Sequence, residues 1–257
     1  MLQRNGKYKN MNGASRALRV ALVGAGKMAG CHLQALSRVQ IPHTVGAVYD
    51  PVLGRAEELA RQASAKAYGS MGELLEGFRP DIVHVCTPTG RHFEPASEAL
   101  RGGAHIYVEK PFTETGNEAR ALLELARQRH LLVCAGHQLT RDPAFEQLIA
   151  GARHLRPIVQ VDSHFAFQPA GGPVHRVSRS AQASQLADVL PHPLYSLIAA
   201  LEALGAGEEN IQVTSLRTDP ADVHAVLRAG GITGRLSRRS AGVQSLRRSP
   251  QPVREGP

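Results

Sequence analysis

Residues 24–29 read Gly24-Ala25-Gly26-Lys27-Met28-Ala29, and Asp50 stands 26 residues after the first glycine. Residue types in this pattern can hold a dinucleotide. Gly24 permits a tight turn, Gly26 lets a pyrophosphate approach the main chain, and the small Ala29 lets a helix lie close to its strand. A helix starting there offers main-chain N–H groups and a partial positive charge to phosphate. Asp50 can accept hydrogen bonds from an adenosine ribose 2′-OH and repels a 2′-phosphate, which favours NAD over NADP. Its spacing is somewhat beyond the usual 20 or so residues, a difference that a helix and its loop can absorb.

The pattern carries meaning only in the right setting, strand then turn then helix. Val20-Ala21-Leu22-Val23 is an apolar run suited to a buried parallel strand, and Ala29, Leu33 and Leu36 follow at helical spacing. Strand and helix patterns then alternate. Strands are expected at Val45 to Tyr49, Ala65 to Tyr68, Ile82 to Cys86, His105 to Val108 and Leu131 to Ala135. Helices are expected at Gly54 to Gln62, from Met71, at Phe93 to Arg101, and at Asn117 to Arg129 with Leu122, Leu123 and Ala126 inward. Such alternation from 18 to 136 predicts a parallel, doubly wound sheet, whose ligands bind beyond the carboxyl ends of the strands. The residues at those ends are Gly24, Asp50, Thr87, Glu109, Lys110 and His137.

Past Pro143 the pattern changes. A linking helix is expected at Ala144 to Ala152, and a strand at Ile158 to Phe167 with Val159, Val161 and Ser163 on one face. Loop follows at 168–181, then an apolar helix at Leu194 to Leu204 and strands at Ile211 to Leu216, His224 to Arg228 and Ile232 to Leu236. After Arg235 the text is rich in Ser, Arg and Pro and reads as disorder. The expected organisation is a disordered leader over 1–16, a dinucleotide-binding domain over 17–138, a shortened second domain over 139–236 and a disordered basic tail over 237–257.

The net charge of +8 raises a nucleic-acid role. Residues 1–19 hold five basic groups and no acid, and residues 229–257 hold six arginines and one acid, so the charge sits in the tails. The body is nearly neutral, without a basic face interleaved with aromatics, and nucleic acid is not an expected partner. The three cysteines, Cys31, Cys86 and Cys134, are far apart and form no C-x-x-C pair. Cys86 and Cys134 lie in apolar runs and read as small hydrophobes. A reducing cytoplasm is the expected compartment. The twelve histidines include no cluster with ligand spacing, so no metal is expected. No apolar stretch approaches a membrane span. His84, inside an apolar strand, reads as a core residue.

Further motifs complete a series. Thr87-Pro88-Thr89-Gly90-Arg91-His92 follows the fourth strand and Glu109-Lys110-Pro111 the fifth. Gly136-His137-Gln138-Leu139-Thr140-Arg141 and Asp188-Val189-Leu190-Pro191-His192 come later. Taken in order with the glycine turn and Asp50, the sequence resembles the Gfo/Idh/MocA family of glucose–fructose oxidoreductase, inositol dehydrogenase and relatives, over roughly residues 18–204.

The resemblance implies an α/β protein. An N-terminal Rossmann domain precedes an α/β domain with a mostly antiparallel sheet, shortened here. It implies hydride transfer between NAD(P) and a hydroxyl of a sugar, polyol or cyclitol. Lys110 and His192 would face the substrate, with Asp188 as an orienting carboxylate and a cis Lys110–Pro111 bond. Gly24, Gly26, Lys27, Met28, Ala29, Asp50, Thr87, Pro88, Thr89, His92, Glu109, Lys110 and His137 would bind the cofactor. A base within hydrogen-bond reach must take the hydroxyl proton as hydride leaves carbon. Lysine, ordinarily at about 10.4, becomes a base when desolvated beside a cation.

Two departures stand out. Tyr195 occupies the place, three residues after His192, where the family often has an acid, and Pro191 precedes the histidine in place of a small residue. The chain is also shorter than full members, its 223–236 segment reading as one edge hairpin of the expected sheet. Exposed sheet faces would compromise the homo-oligomers that the family commonly builds. These features keep open a non-catalytic dinucleotide-binding remnant or interaction protein.

Overall fold

A computed structural model describes residues 16–155, 157–167, 189–205, 211–218 and 222–240. The chain divides into two units, Met1–Gly136 and His137–Pro257.

The first unit is a six-stranded parallel sheet. Its strands are β1 (Leu18–Val23), β2 (His43–Tyr49), β3 (Lys66–Tyr68), β4 (Ile82–Val85), β5 (His105–Val108) and β6 (Val133–Ala135), in the order β3-β2-β1-β4-β5-β6. The order reverses between β1 and β4, so a crevice opens beyond their carboxyl ends. Helices α1 (Lys27–Leu36) and α2 (Leu53–Ala63) cover one face, where Leu22, Val48 and Cys86 meet Ala29, Ala56, Leu59 and Ala60. Helices α3 (Met71–Phe78), α4 (Phe93–Arg101) and α5 (Gly116–Gln128) cover the other, burying Val83, Val85, Ile106 and Val108 against Leu74, Leu100 and Leu122. Burial on both faces is why these strands are apolar at nearly every position. Asp81 is the polar exception at the sheet's amino end. Its carboxylate takes a two-pronged ion pair from Arg16 and the main-chain N–H of Arg19.

Two expectations need correction here. Leu123 faces outward, 52% exposed, because Leu122 and Ala126 fill the inward stripe of α5. Cys134 is exposed, because β6 is an edge strand and begins two residues later than its apolar run.

The second unit opens with a 3-10 turn (Gln138–Arg141) and α6 (Pro143–Ala152), capped by the Asp142 side chain on Ala144 N–H at 2.8 Å. Strands β7 (Gln160–Phe167), β8 (Ile211–Thr218), β9 (Asp222–Ala229) and β10 (Ile232–Ser240) form a second sheet, ordered β7-β10-β9-β8. The β7–β10 pair is parallel and the other two are antiparallel. Helix α7 (Pro191–Ala203) lays Leu197 and Leu201 on Val223, Ala225, Leu227 and Leu236. A Cβ at Gly234 would lie 2.9 Å from Leu201 Cδ1, so the glycine lets the helix approach the sheet.

The β9–β10 hairpin is therefore central rather than an edge, since β7 and β8 flank it. β10 also continues to Ser240, past the expected end at 236, because its pairing with β7 holds polar residues in the strand. Val159, expected inside β7, precedes it and is exposed. The expected loop at 168–181, both expected disordered tails apart from Arg16 and residues 237–240, and Asp188 lie outside the described residues.

Candidate active site

The glycine turn is built by contacts that only its sequence allows. Gly24 has φ +86°, and a Cβ there would fall 2.7–2.8 Å from the main chain of Cys86 and Thr87. No L side chain fits. Gly26 is the N-cap of α1, with φ −84° and nothing within 4 Å of an added Cβ. No side chain caps this end and the first turn carries no acid. The space over Gly26 and the α1 N-terminus thus suits a phosphate group. Lys27 and Met28 are exposed in the first turn, and Ala29 is fully buried against the strand.

Asp50, directly after β2, is 7% exposed. Its two oxygens accept the N–H groups of Ala25 and Val52, each at 2.9 Å. It therefore shapes the glycine turn. A cavity of about 440 Å³ opens beside it, lined by Gly26, Lys27, Val52, Arg55 and Glu58 among others.

After β4, the Thr87 hydroxyl donates to Arg91 C=O at 2.7 Å, and Pro88 and Thr89 are exposed at the crest of this loop. His92 is 2% exposed, with its ring nitrogens 2.8 Å from the carbonyls of Thr87 and Pro111. The ring bridges the loop after β4 to the turn after β5. The Lys110–Pro111 bond in that turn is cis. Glu109, 6% exposed, lies beneath it, with Oε2 accepting the Lys110 N–H at 3.2 Å and Oε1 2.7 Å from His32 Nε2. Burial pushes the Glu109 carboxyl up, but the His32 hydrogen bond and charge, with the N–H and charge of Lys110, outweigh it and hold it below the ordinary range. His92 and Glu109, grouped in sequence with the cofactor contacts, are turned inward and support the turns that carry exposed groups.

The second unit gathers His137, His192 and Tyr195. The Tyr195 ring stacks on His137 with centroids 4.3 Å apart. Its Oη accepts the Leu139 N–H at 3.3 Å and lies 2.8 Å from His192 Nδ1. The proton between Tyr195 Oη and His192 Nδ1 is donated by the phenol or by the imidazole according to the histidine tautomer. Phe165 of β7 stacks on His192 from another side, with centroids 6.3 Å apart. Burial lowers the His137 pKa. Tyr195, noted in sequence only as a departure, proves to be the partner of both histidines. Its signal was its place one helical turn after His192.

His84, the core histidine of β4, has its polar partner within the first unit. Its Nδ1 lies 2.8 Å from His32 Nδ1, and its ring stacks on Tyr107 at 5.1 Å. A histidine inside an otherwise apolar strand requires a polar partner, and that was the available signal.

Among the described residues no helix is long and apolar enough to cross a membrane, and no group of His, Cys, Asp and Glu could hold a metal ion.

Comparison with known proteins agrees with this geometry. UDP-N-acetylglucosamine 3-dehydrogenase of Acidithiobacillus ferrooxidans is 29% identical over 210 residues, 80% of this chain and 61% of that protein. The chain thus spans about three fifths of this relative's length. GenD2 from gentamicin A biosynthesis, solved with NAD, superposes with a TM-score of 0.74 over 93% of this chain and 68% of its own, at 21% identity, a likeness of fold. KijD10, a 3-ketoreductase from Actinomadura kijaniata solved with NADP, superposes with a TM-score of 0.69 at 25% identity, over 86% of this chain and 68% of its own. Residues 18–137 match the model of an oxidoreductase family with an NAD-binding Rossmann fold. Over those residues the chain is similar to the Gfo/Idh/MocA oxidoreductase family.

Proposed function

We propose that the protein is an NAD-dependent dehydrogenase acting on a hydroxyl of a sugar, polyol or cyclitol. The observation that carries this reading is the pairing of an open glycine turn, shaped by Asp50, with the Glu109-Lys110-Pro111 turn of the same sheet. The main chain of residues 24–29 would hold the pyrophosphate, and Thr87, Pro88 and Thr89 would line the cofactor. When bound, NAD supplies a hydride acceptor. Lys110 takes the proton from the substrate hydroxyl, a task for a positioned base. His192 faces the substrate and shares its proton, with Asp188 as an orienting carboxylate, and His137 completes the ligand-facing set.

NAD is favoured over NADP because the Asp50 carboxylate would lie close to a 2′-phosphate. Arg55, on the wall of the adjacent cavity, favours a second reading in which NADP is also accepted. Calorimetric titration of the purified chain with each cofactor tests both, followed by a turnover screen of UDP-N-acetylglucosamine, simple sugars and inositols. NAD binding with turnover of one of these supports the proposal. A folded protein that binds neither cofactor refutes it.

A further inference from the structure

Behind the Glu109-Lys110-Pro111 turn, three elements contribute one continuous hydrogen-bonded chain. His84 comes from β4, His32 from α1 and Glu109 from the end of β5. The links are His84 Nδ1 to His32 Nδ1 at 2.8 Å, His32 Nε2 to Glu109 Oε1 at 2.7 Å, and the Lys110 N–H to Glu109 Oε2 at 3.2 Å. Tyr107 packs against both rings, stacked on His84 at 5.1 Å and edge-on to His32 at 5.0 Å.

Hydrogen-bonding rules fix the link to Glu109. An ionised carboxylate only accepts, so His32 donates to Glu109 from Nε2 whether its ring is neutral or charged. The proton between the two Nδ1 atoms belongs to His84 when His32 is neutral and to His32 when it is charged. Burial, aided by the charge of His32 and opposed by that of Glu109, lowers the His84 pKa to about 4, so His84 is the neutral member of the pair.

We propose that His84 and His32 are positioning residues for Lys110. His84 anchors the His32 ring through Nδ1, and His32 orients the Glu109 carboxylate that holds the Lys110 main chain. The inference deepens the proposed function and rests on Lys110 as the base. A histidine serving only to fill the core would not need a polar partner at each ring nitrogen, as His32 has in His84 and Glu109. The titratable groups around the chain are Cys31 and His32 on α1, His84 on β4 with Cys86 just after it, and Tyr107, Glu109 and Lys110 on β5 and its turn, with His43 of β2 acting on His84. Burial drives the Cys86 thiol up, so it stays neutral and adds no charge.

The test compares His32→Leu, which removes the donor to Glu109, with His32→Gln, whose amide can replace it. In His32→Leu we expect kcat to fall about 10- to 100-fold while NAD affinity and sugar KM stay within about threefold, with most of kcat restored in His32→Gln. Without its donor, the buried Glu109 titrates in a higher range. The kcat of His32→Leu then rises with pH across about 5 to 8, a limb that disappears in the His32→Leu/Glu109→Gln double variant. Wild-type kcat at that pH and an unchanged pH profile in His32→Leu would overturn the proposal.

Two readouts do not depend on turnover. Nitrogen NMR of the wild type should show His32 protonated on Nε2 and hydrogen-bonded to His84 through Nδ1. The Lys110 amide resonance should titrate with Glu109 at higher pH in His32→Leu than in wild type. A His32 Nε2 that carries no proton, or a Lys110 amide indifferent to His32→Leu, contradicts the positioning chain even if no sugar is turned over, a result that would by itself sink only the dehydrogenase reading. If His32→Leu does not fold, His84→Leu with His84→Gln as its rescue provides the same comparisons.

Discussion

The Asp50 carboxylate accepts the main-chain N–H of Ala25 at 2.9 Å, so the acid at the end of β2 is tied directly to the glycine turn at the end of β1. Its other oxygen holds Val52 N–H. The residue proposed to select the cofactor therefore also sets the shape of the glycine turn. Asp50→Ala leaves two N–H groups without acceptors, at a cost of about 1–3 kcal/mol. We expect a lower melting temperature and loss of tight NAD binding together. Asp50→Asn keeps one acceptor oxygen and removes the charge, so the NAD-to-NADP affinity ratio should narrow by about tenfold. An unchanged ratio by calorimetry would assign selection to another residue.

Gly24 and Gly26 separate folding from binding. Gly24→Ala puts a methyl group into the main chain of Cys86 and Thr87 at a left-handed φ, and should destabilise the first unit by about 1–3 kcal/mol. Gly26→Ala meets nothing within 4 Å and keeps an ordinary φ, so its melting temperature should match wild type. Its methyl group enters the space expected for the pyrophosphate, and NAD affinity should fall at least about tenfold. Equal NAD affinity in Gly26→Ala and wild type would place the phosphates elsewhere.

Asp81 sets part of the acid stability. Burial pushes its carboxyl up, but the Arg16 side chain and the Arg19 main chain and side chain outweigh this and hold it at about 2. A depressed folded value means stabilisation that is full above the unfolded value near 3.8 and is lost as pH falls toward 2. Asp81→Asn should therefore cost roughly 2 kcal/mol at neutral pH, with the deficit closing between about pH 4 and pH 2. Denaturant melts of both proteins across that range measure it, and a pH-independent difference would disprove the linkage.

Tyr195→Phe keeps the ring stacked on His137 and removes the hydroxyl between Leu139 N–H and His192 Nδ1. We expect kcat to fall about tenfold with the fold intact, the scale of a lost orienting hydrogen bond. His192→Phe should then make the Tyr195→Phe change nearly silent in a double-variant cycle. Additive losses would show that Tyr195 acts independently of His192.

Much of the first unit was legible in the sequence. Strands buried on both faces carry a continuous apolar signature, and Gly24, Asp50, Thr87, Glu109 and Lys110 stand at the strand ends where doubly wound sheets bind ligands. Leu123 was misjudged because the apolar run of α5 is wider than its inward stripe, and Cys134 because an edge strand is apolar without being covered. For His84, strand periodicity gives the core position and not the partner, which is His32, 52 residues away in sequence. In the second unit, Ser237 to Ser240 look unstructured in isolation, and only pairing with β7 and β9 makes them a strand.

The most direct measurement is NADH formation by wild type and Lys110→Ala over a panel of nucleotide sugars, free sugars and cyclitols, with NAD binding measured on the same samples. We expect turnover of at least one substrate by wild type, and in Lys110→Ala a loss of about 100-fold or more with NAD affinity retained, the effect of removing a positioned base. Equal turnover in the two proteins, or a folded wild type that binds no NAD, would contradict the assignment of the Glu109-Lys110-Pro111 turn as the catalytic centre.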